Sequence, residues 1–445
     1  MASAADPTVV NLFKKVYGQM TDLIPEDYLL QTDIPWRENQ KVGETYVEAV
    51  VLTAETGWTL GGSAAELFDL NPPISGSVQQ ASVIPYQTVL SSLVPWGMIS
   101  RSAGAGEKAF KDVTKYVVRN NLKSHGKLLE IIRIYGQYDG LLGYVSYYTG
   151  VYRGVSFTNG TGTLTLTDNS TLAFTNGINA AEKAILFRPG YFAAGIWVGI
   201  EGAIINEVNA SNVVVQSGKI TGVDPLLGII YVDFTPTAPS AESGAGSMRL
   251  CFQGMEVFKE AIGVVNILTK VGSLFGISTS QYSLWHGNSF NCQQAVLSLK
   301  LVQNAVAVAV ARGGLEGDIV LYVNPRSWAR FSNTEAGLRV YDQSYQRSKA
   351  ENGFEAIEFW SQTGKITVKA HRMIMEGQAL GLHLPDWSRS GSAEISFKVP
   401  GMSDDLIYPA QNQNAYIFRS YADQYVFCRA PAKSIWFYNI NDEAA

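Results

Sequence analysis

The spacing of apolar and polar positions divides the chain into blocks of different period. Tyr46-Val-Glu-Ala-Val-Val-Leu-Thr-Ala-Glu55 reads as a strand, and Ser82-Val-Ile-Pro-Tyr-Gln-Thr-Val-Leu90 reads as its return. Gly61-Gly62 and Asn71-Pro72-Pro73 mark turns between them. A long two-stranded hairpin is marginal on its own and needs a surface to lie on. From Glu107 to about Tyr135 the period becomes helical. Phe110, Val113, Val117, Leu128, Ile131, Ile132 and Tyr135 fall on one face, with Lys108, Lys115, Arg119, Lys123 and Arg133 opposite. Gly126 predicts a bend, and Gly136 and Gly140 a stop. At 1.5 Å per residue such a helix is roughly 45 Å long.

The remaining blocks are shorter. Residues 1 to about 40, punctuated by Pro7, Pro25 and Pro35, read as an extended arm with a short helix near Val9–Met20. After Gly150 come short alternating runs: Thr163-Leu-Thr-Leu-Thr, Thr171-Leu-Ala-Phe, Val213-Val-Val-Gln-Ser-Gly and Gly228-Ile-Ile-Tyr-Val-Asp-Phe. Strands at this spacing predict a small sandwich or barrel. The stretch from Pro236 to Gly246 reads as a surface loop. Asn291 and Gln294 resemble a capping box that opens a helix through Leu297, Leu301, Ala305 and Val308, ended by Gly313-Gly314. Asp318–Val323 is a buried-type strand, and Asn324-Pro325 caps a helix carrying Trp328 and Phe331. Strands follow between Ile357 and Leu384, and three more between Ala415 and Tyr438. The sum is an α+β chain without a fixed-period repeat.

Composition narrows the function. Charged residues are 16% of the 445, against roughly 25% in typical soluble proteins. Residues 42–100 hold no Lys or Arg, yet include Glu44, Glu48, Glu55, Glu66 and Asp69. Low charge with 11% aromatics points to surface buried against partners. A net charge of −5 excludes a dedicated basic nucleic-acid binder. Cys251, Cys292 and Cys428 form no CxxC and read as buried free thiols in a reducing compartment. Neither a signal peptide nor a membrane-length apolar run is visible, so the chain is expected to be soluble, made in a cytoplasm and free of membrane partners.

The search for chemistry finds no P-loop, HExxH, EF-hand or Rossmann pattern, and no cofactor or metal is expected. His286 lies six residues before Cys292, and His383 near Asp386, but neither pair amounts to a nucleophile dyad or a metal site. Asp404-Asp405 reads as a solvated turn. The expectation is a non-enzymatic protein. Lys111, Lys115, Arg119, Lys123 and Lys127 recur at i, i+4 along the long helix. They form either a solvated face or a surface for phosphates or an acidic neighbour.

The order of arm, extended two-stranded loop, long helix and discontinuous β-rich body resembles the major capsid proteins of tailed phages, the Hong Kong 97-type fold. Bacterial encapsulins share that fold. Three further stretches carry the resemblance: Gly272–Trp285, Val323-Asn-Pro-Arg-Ser-Trp328 and Gly364–Leu382. The resemblance implies an N-arm over 1–45, an extended loop over 46–102 and a peripheral-domain spine helix over 103–150. It further implies a β-rich insertion domain over 151–250, peripheral elements over 251–314, an axial domain over 315–410 and a peripheral return over 411–445. The implied function is self-assembly, as hexamers and pentamers, into an icosahedral shell around double-stranded DNA. The shell would be assembled in a bacterial cytoplasm, with scaffolding, portal and decoration proteins as partner classes. A cargo-enclosing encapsulin-like shell is the alternative, and a β-rich carbohydrate-binding or hydrolytic protein the third. On this reading Trp58, Leu60 and Phe68 supply apolar loop contacts, Glu48, Glu55, Glu66 and Asp69 set their orientation, and the basic helix face looks to DNA or to a neighbour. Some relatives crosslink a loop Lys to a neighbour's Asn. The absence of Lys between Lys41 and Lys108 predicts a non-covalent shell.

Overall fold

The structure, a computed structural model, describes residues 28–37, 41–42, 45–61, 68–97, 107–138, 149–152, 155–158, 163–165, 171–173, 182–187, 190–208, 211–226, 228–234, 249–339, 357–397, 407–410 and 413–442. The expected helix near Val9–Met20, the 236–246 loop, Asp404-Asp405 and Glu66 lie outside them.

Thr45–Val51 pairs antiparallel with Val78–Val83, Tyr46 opposite Val83 and Val51 opposite Val78. The expected return strand Ser82–Leu90 is divided at Ile84-Pro85. Proline has no N–H to donate, so the ladder stops there. The chain resumes as Tyr86–Pro95 in a different sheet, antiparallel to Ala415–Cys428, with Gln424 opposite Tyr86 and Ala415 opposite Pro95. Ala415–Cys428 is one long strand, so the region to Tyr438 holds two strands where three were expected. The arm joins the same sheet: Trp36 bridges Arg389 on Trp387–Ser396, which pairs with Ala415–Cys428.

The helix Glu107–Tyr135 packs against Tyr86–Pro95, Ala415–Cys428 and the short helices Leu29–Asp33 and Val264–Thr269. Leu129 to Tyr135 are all buried, Glu130 and Arg133 included, so its last two turns are enclosed on every side. The expected polar outer face ends there.

The tract after Thr149 holds two antiparallel sheets. The strands 149–152, 155–158, 163–165 and 171–173 form the first. The second runs from Glu182 to Phe252, and its Phe187, Ile205, Ile230 and Leu250 share one core with Ile131 and Tyr135 of the long helix. A mixed six-stranded sheet follows, in the order 288–291, 435–438, 379–382, 319–323, 365–370, 357–360. Its Ile319, Leu321, Ile366 and Phe437 bury against Val302, Ala305, Val306 and Ala309 of the helix Leu299–Gly313. That helix starts after Ser298, and Val308 faces outward. Asn291 and Gln294 do not cap it: the Asn291 side chain instead accepts the Gln293 N–H at 2.9 Å, in a turn where Gln293 and Gln294 have positive φ. Asn324 does cap the helix Pro325–Arg339, accepting the Arg326 N–H at 2.9 Å. No helix among the described residues is long and apolar enough to cross a membrane.

Candidate assembly surfaces

The hairpin changes character along its length. Tyr46, Leu52, Ala81 and Val83 at its base are buried in the main core. Beyond the base, Trp58 is 75% exposed, Leu60 94% and Leu70 80%, with Phe68 and Ile74 also exposed. Short-range bonds hold this distal part together: the Asn71 side chain donates to the Trp58 carbonyl at 2.7 Å, and the Asn71 N–H to Thr59 Oγ1 at 2.8 Å. A Cβ on Gly61 would come within 2.4 Å of the Phe68 ring, so glycine makes room for that ring. Glu55 and Asp69 are exposed in the same region, which gathers Glu55, Trp58, Leu60, Phe68 and Asp69. Glu48 lies nearer the hairpin base and forms an ion pair with Arg429 of its own chain.

The basic row on the long helix is not one open face. Arg119 is exposed, but Lys123 is only 7% exposed. Lys127 donates to the Val198 carbonyl at 2.6 Å. Burial, with the nearby Arg372 charge, pulls its pKa down to about 8 against the opposing effect of Glu201. An i, i+4 row drifts about 40° per step, and the drift carries it from the exposed Arg119 to Lys123 and Lys127 in contact with the body. The side chains of Lys111 and Lys115 lie outside the described residues.

A junction that the periodicity did not indicate fixes arm, helix and body together. Glu130, fully buried on the long helix, accepts the N–H groups of Leu30 at 2.7 Å and Gln31 at 3.2 Å, satisfying the start of the short arm helix. Arg133 donates to Glu130 at 2.9 Å and to Gln424 at 3.1 Å. His371 Nδ1 accepts the Met373 N–H, so Nε2 carries the proton and faces Glu130 at 3.1 Å. Burial alone raises the Glu130 pKa. The His371 hydrogen bond, the Arg133 charge and the Leu30 N–H outweigh it and leave a net lowering. Arg389 holds the arm from the other side, donating to the carbonyls of Ile34 and Gln31, both at 2.8 Å. Asp33 ends the arm helix against Lys369 at 2.8 Å and the Tyr322 hydroxyl. The sequence signal, a lone Glu and Arg at i, i+3 inside an apolar run, reads equally as a surface pair.

A polar seam joins the middle of the long helix to the two strands beneath it. Asn121 donates to Ser92 at 2.9 Å, and Ser420 donates to Asn121 at 2.5 Å. Ser420 therefore accepts from His125 Nδ1 at 2.8 Å, which leaves Nε2 to accept from Thr88 at 2.8 Å. Burial, with the Arg133 charge, lowers the His125 pKa to about 4.

The three thiols are free and buried, and burial pushes Cys251 and Cys292 up to about 12 and Cys428 well upward. None is poised as a thiolate at neutral pH. His286 Nδ1 lies 2.5 Å from the Gly287 carbonyl, and His383 is bound to Asp386 at 2.7 Å.

Among solved structures, the chain is similar to the cyanophage A-1(L) capsid asymmetric unit, with 10% identity, 96% of each chain covered and a TM-score of 0.48. It is similar to the capsid of an empty GTA particle at 7% identity, covering 95% of this chain and 94% of the other, with a TM-score of 0.46. It is also similar to the holo-SrpI encapsulin complex from Synechococcus elongatus PCC 7942 at 6% identity, covering 99% and 98%, with a TM-score of 0.41. No protein-family model and no curated protein matches the chain.

Proposed function

We propose that this protein is the major subunit of a non-covalent icosahedral shell of the tailed-phage capsid type, enclosing double-stranded DNA, and that its role is structural. The observation that carries the reading is the hairpin. Its base is anchored in the core, while its distal part exposes Trp58, Leu60 and Leu70 and contains no basic residue. Large apolar side chains gathered on a projecting element mark an interaction site. Burying Trp58 and Leu60 against an adjacent copy contributes about 1.5–3 kcal/mol each. Repeated head-to-tail, such contacts close into rings and shells, and many modest contacts multiply through avidity. Glu55 and Asp69 set orientation more than affinity. The element order of arm, hairpin, long helix and mixed-sheet body supports the choice of shell type.

Electron microscopy of purified protein, with Trp58→Ser/Leu60→Ser as comparison, tests this. Wild type is expected to form closed particles with nuclease-protected DNA, and the double variant to remain as folded, unassembled subunits. Dispersed wild-type monomers, or a double variant that assembles normally, overturn it. An enclosed protein cargo without DNA selects the encapsulin-like alternative. A covalent ladder on a denaturing gel of mature particles overturns the non-covalent part.

A further inference from the structure

A cleft of about 70 Å³ opens where the turn 376–378 meets the chain's last segment, 436–442. One water needs roughly 10–15 Å³ on this measure, so the cleft holds about five waters or one small planar group. Trp436 and Tyr438 line it, their rings stacked on each other 4.8 Å apart at 16°. Gln378, also a lining residue, is 4% exposed. Its Nε2 reaches only the Met375 sulfur at 3.8 Å, and its Oε1 has no hydrogen-bond partner among the described residues. A buried amide in this condition is costly unless something satisfies it. Gln378 lines the cleft, and its terminal torsion is broad rather than fixed in one well. Two lining residues, Gln294 (φ 60°) and Asn439 (φ 56°), hold left-handed backbone, ordinary for an asparagine and uncommon for a glutamine.

The lining contains no Lys, Arg or His, which disfavours a phosphate or carboxylate ligand. Its two carboxylates are already engaged, Glu376 by Arg326 at 2.9 Å and Asp442 by Ser327 and the Gly377 N–H, both at 2.6 Å. Aromatic lining residues beside an amide with one donor and one unpaired acceptor in a plane match a neutral, planar ligand with the reciprocal pair. We propose that this cleft binds an amide, a peptide bond or carboxamide side chain, presented by a neighbouring copy of the chain. The source rests on the shell reading. A free amide has too few atoms to bind tightly, whereas one delivered by an adjacent subunit acts at high effective concentration.

The experiment has two arms on the full-length chain. In the unassembled protein, N-methylacetamide is titrated while the Gln378 side-chain amide resonances, assigned through Gln378→Met, are followed. A saturable shift that acetate does not produce is expected. No saturable shift, or an equal one with acetate, overturns the site whether or not shells form. In the assembly arm, Gln378→Met is expected to keep or raise the melting temperature while lowering particle yield at least ten-fold. A lowered melting temperature with normal assembly identifies Gln378 as a holder of structural water and overturns the proposal. A positive titration with unimpaired assembly overturns the neighbouring-copy source. If the wild type forms no particles, the shell reading fails on its own and the titration still decides the cleft.

Discussion

The Oε1 oxygen of Glu130 lies 2.7 Å from the backbone nitrogen of Leu30, 100 residues away in sequence. The same carboxylate faces Arg133 and His371. One buried anion thus compensates a guanidinium, an imidazole N–H and the start of a helix. Removing it strands a guanidinium whose side chain is 3% exposed. Glu130→Ala is expected to cost about 3–5 kcal/mol in chemical denaturation. Amide exchange should show residues 29–34 losing protection first, because Glu130 is the acceptor of the Leu30 and Gln31 N–H groups. The Glu130 pKa is lowered on folding, so its contribution is present above the unfolded carboxylate value and is lost as pH falls. The variant should therefore lose part of the wild type's acid sensitivity.

His125 gives a second acid transition. Its pKa falls from 6.5 to about 4 on folding. The unfolded chain binds the proton first, so the contribution is complete above pH 6.5 and is lost as pH drops through about 4. The neutral ring already uses both nitrogens, one donating to Ser420 and one accepting from Thr88. A second ring proton requires the Thr88 hydroxyl to reverse. Stability of His125→Asn, measured from pH 7 to pH 4, should fall less steeply than wild type by about 1–3 kcal/mol over that window. Parallel slopes would refute the assignment.

What the sequence revealed and what it concealed separate on physical grounds. The long helix, the hairpin, the strand at 319–323 and the Asn324 cap follow from local period and turn chemistry, which a single segment carries. The Glu130 junction and the His125 seam depend on Leu30, Gln31, His371 and Ser420, about 100 to 300 positions away, while the local partner Arg133 at i+3 reads equally as half of a surface pair. Periodicity tests only whether a helix has an apolar face. It does not register an arm folding over the opposite face, so Lys123 and Arg133 read as part of an outward polar face. Asn291 and Gln294 have the spacing of a capping box, but the chain makes a left-handed turn there before Ser298.

Gly126 shows how such a junction reverses an ordinary expectation. Glycine inside a helix costs about 1 kcal/mol relative to alanine. Here a Cβ would sit 3.1 Å from the Tyr28 ring, whose hydroxyl donates to the Lys123 carbonyl at 2.9 Å. Gly126→Ala alone is therefore expected to gain nothing or to destabilise. In a Tyr28→Ala background the same change should stabilise by about 1 kcal/mol. A double-mutant cycle by thermal denaturation reads the sign change directly. Equal effects in both backgrounds would show that the arm does not press on the helix.

Arg119 and Lys123 lie one turn apart on the same helix but in opposite environments, exposed and buried. Charge reversal therefore separates a role at the surface from a role in the fold. Lys123→Glu places an anion where a cation is enclosed, and should lower stability by about 3–5 kcal/mol, with particle yield falling as a consequence. Arg119→Glu, at an exposed position, should cost no more than about 1 kcal/mol, the range of an exposed charge contact. Any change in packaged DNA is then attributable to the surface charge. If Arg119 meets phosphates, the variant's particles should retain less nuclease-protected DNA, and the salt dependence of DNA binding should weaken by about one unit of slope per chain. Unchanged DNA content and slope would mean that Arg119 does not meet phosphates. A fall in stability matching that of Lys123→Glu would mean that the exposed end of the row is also part of the fold.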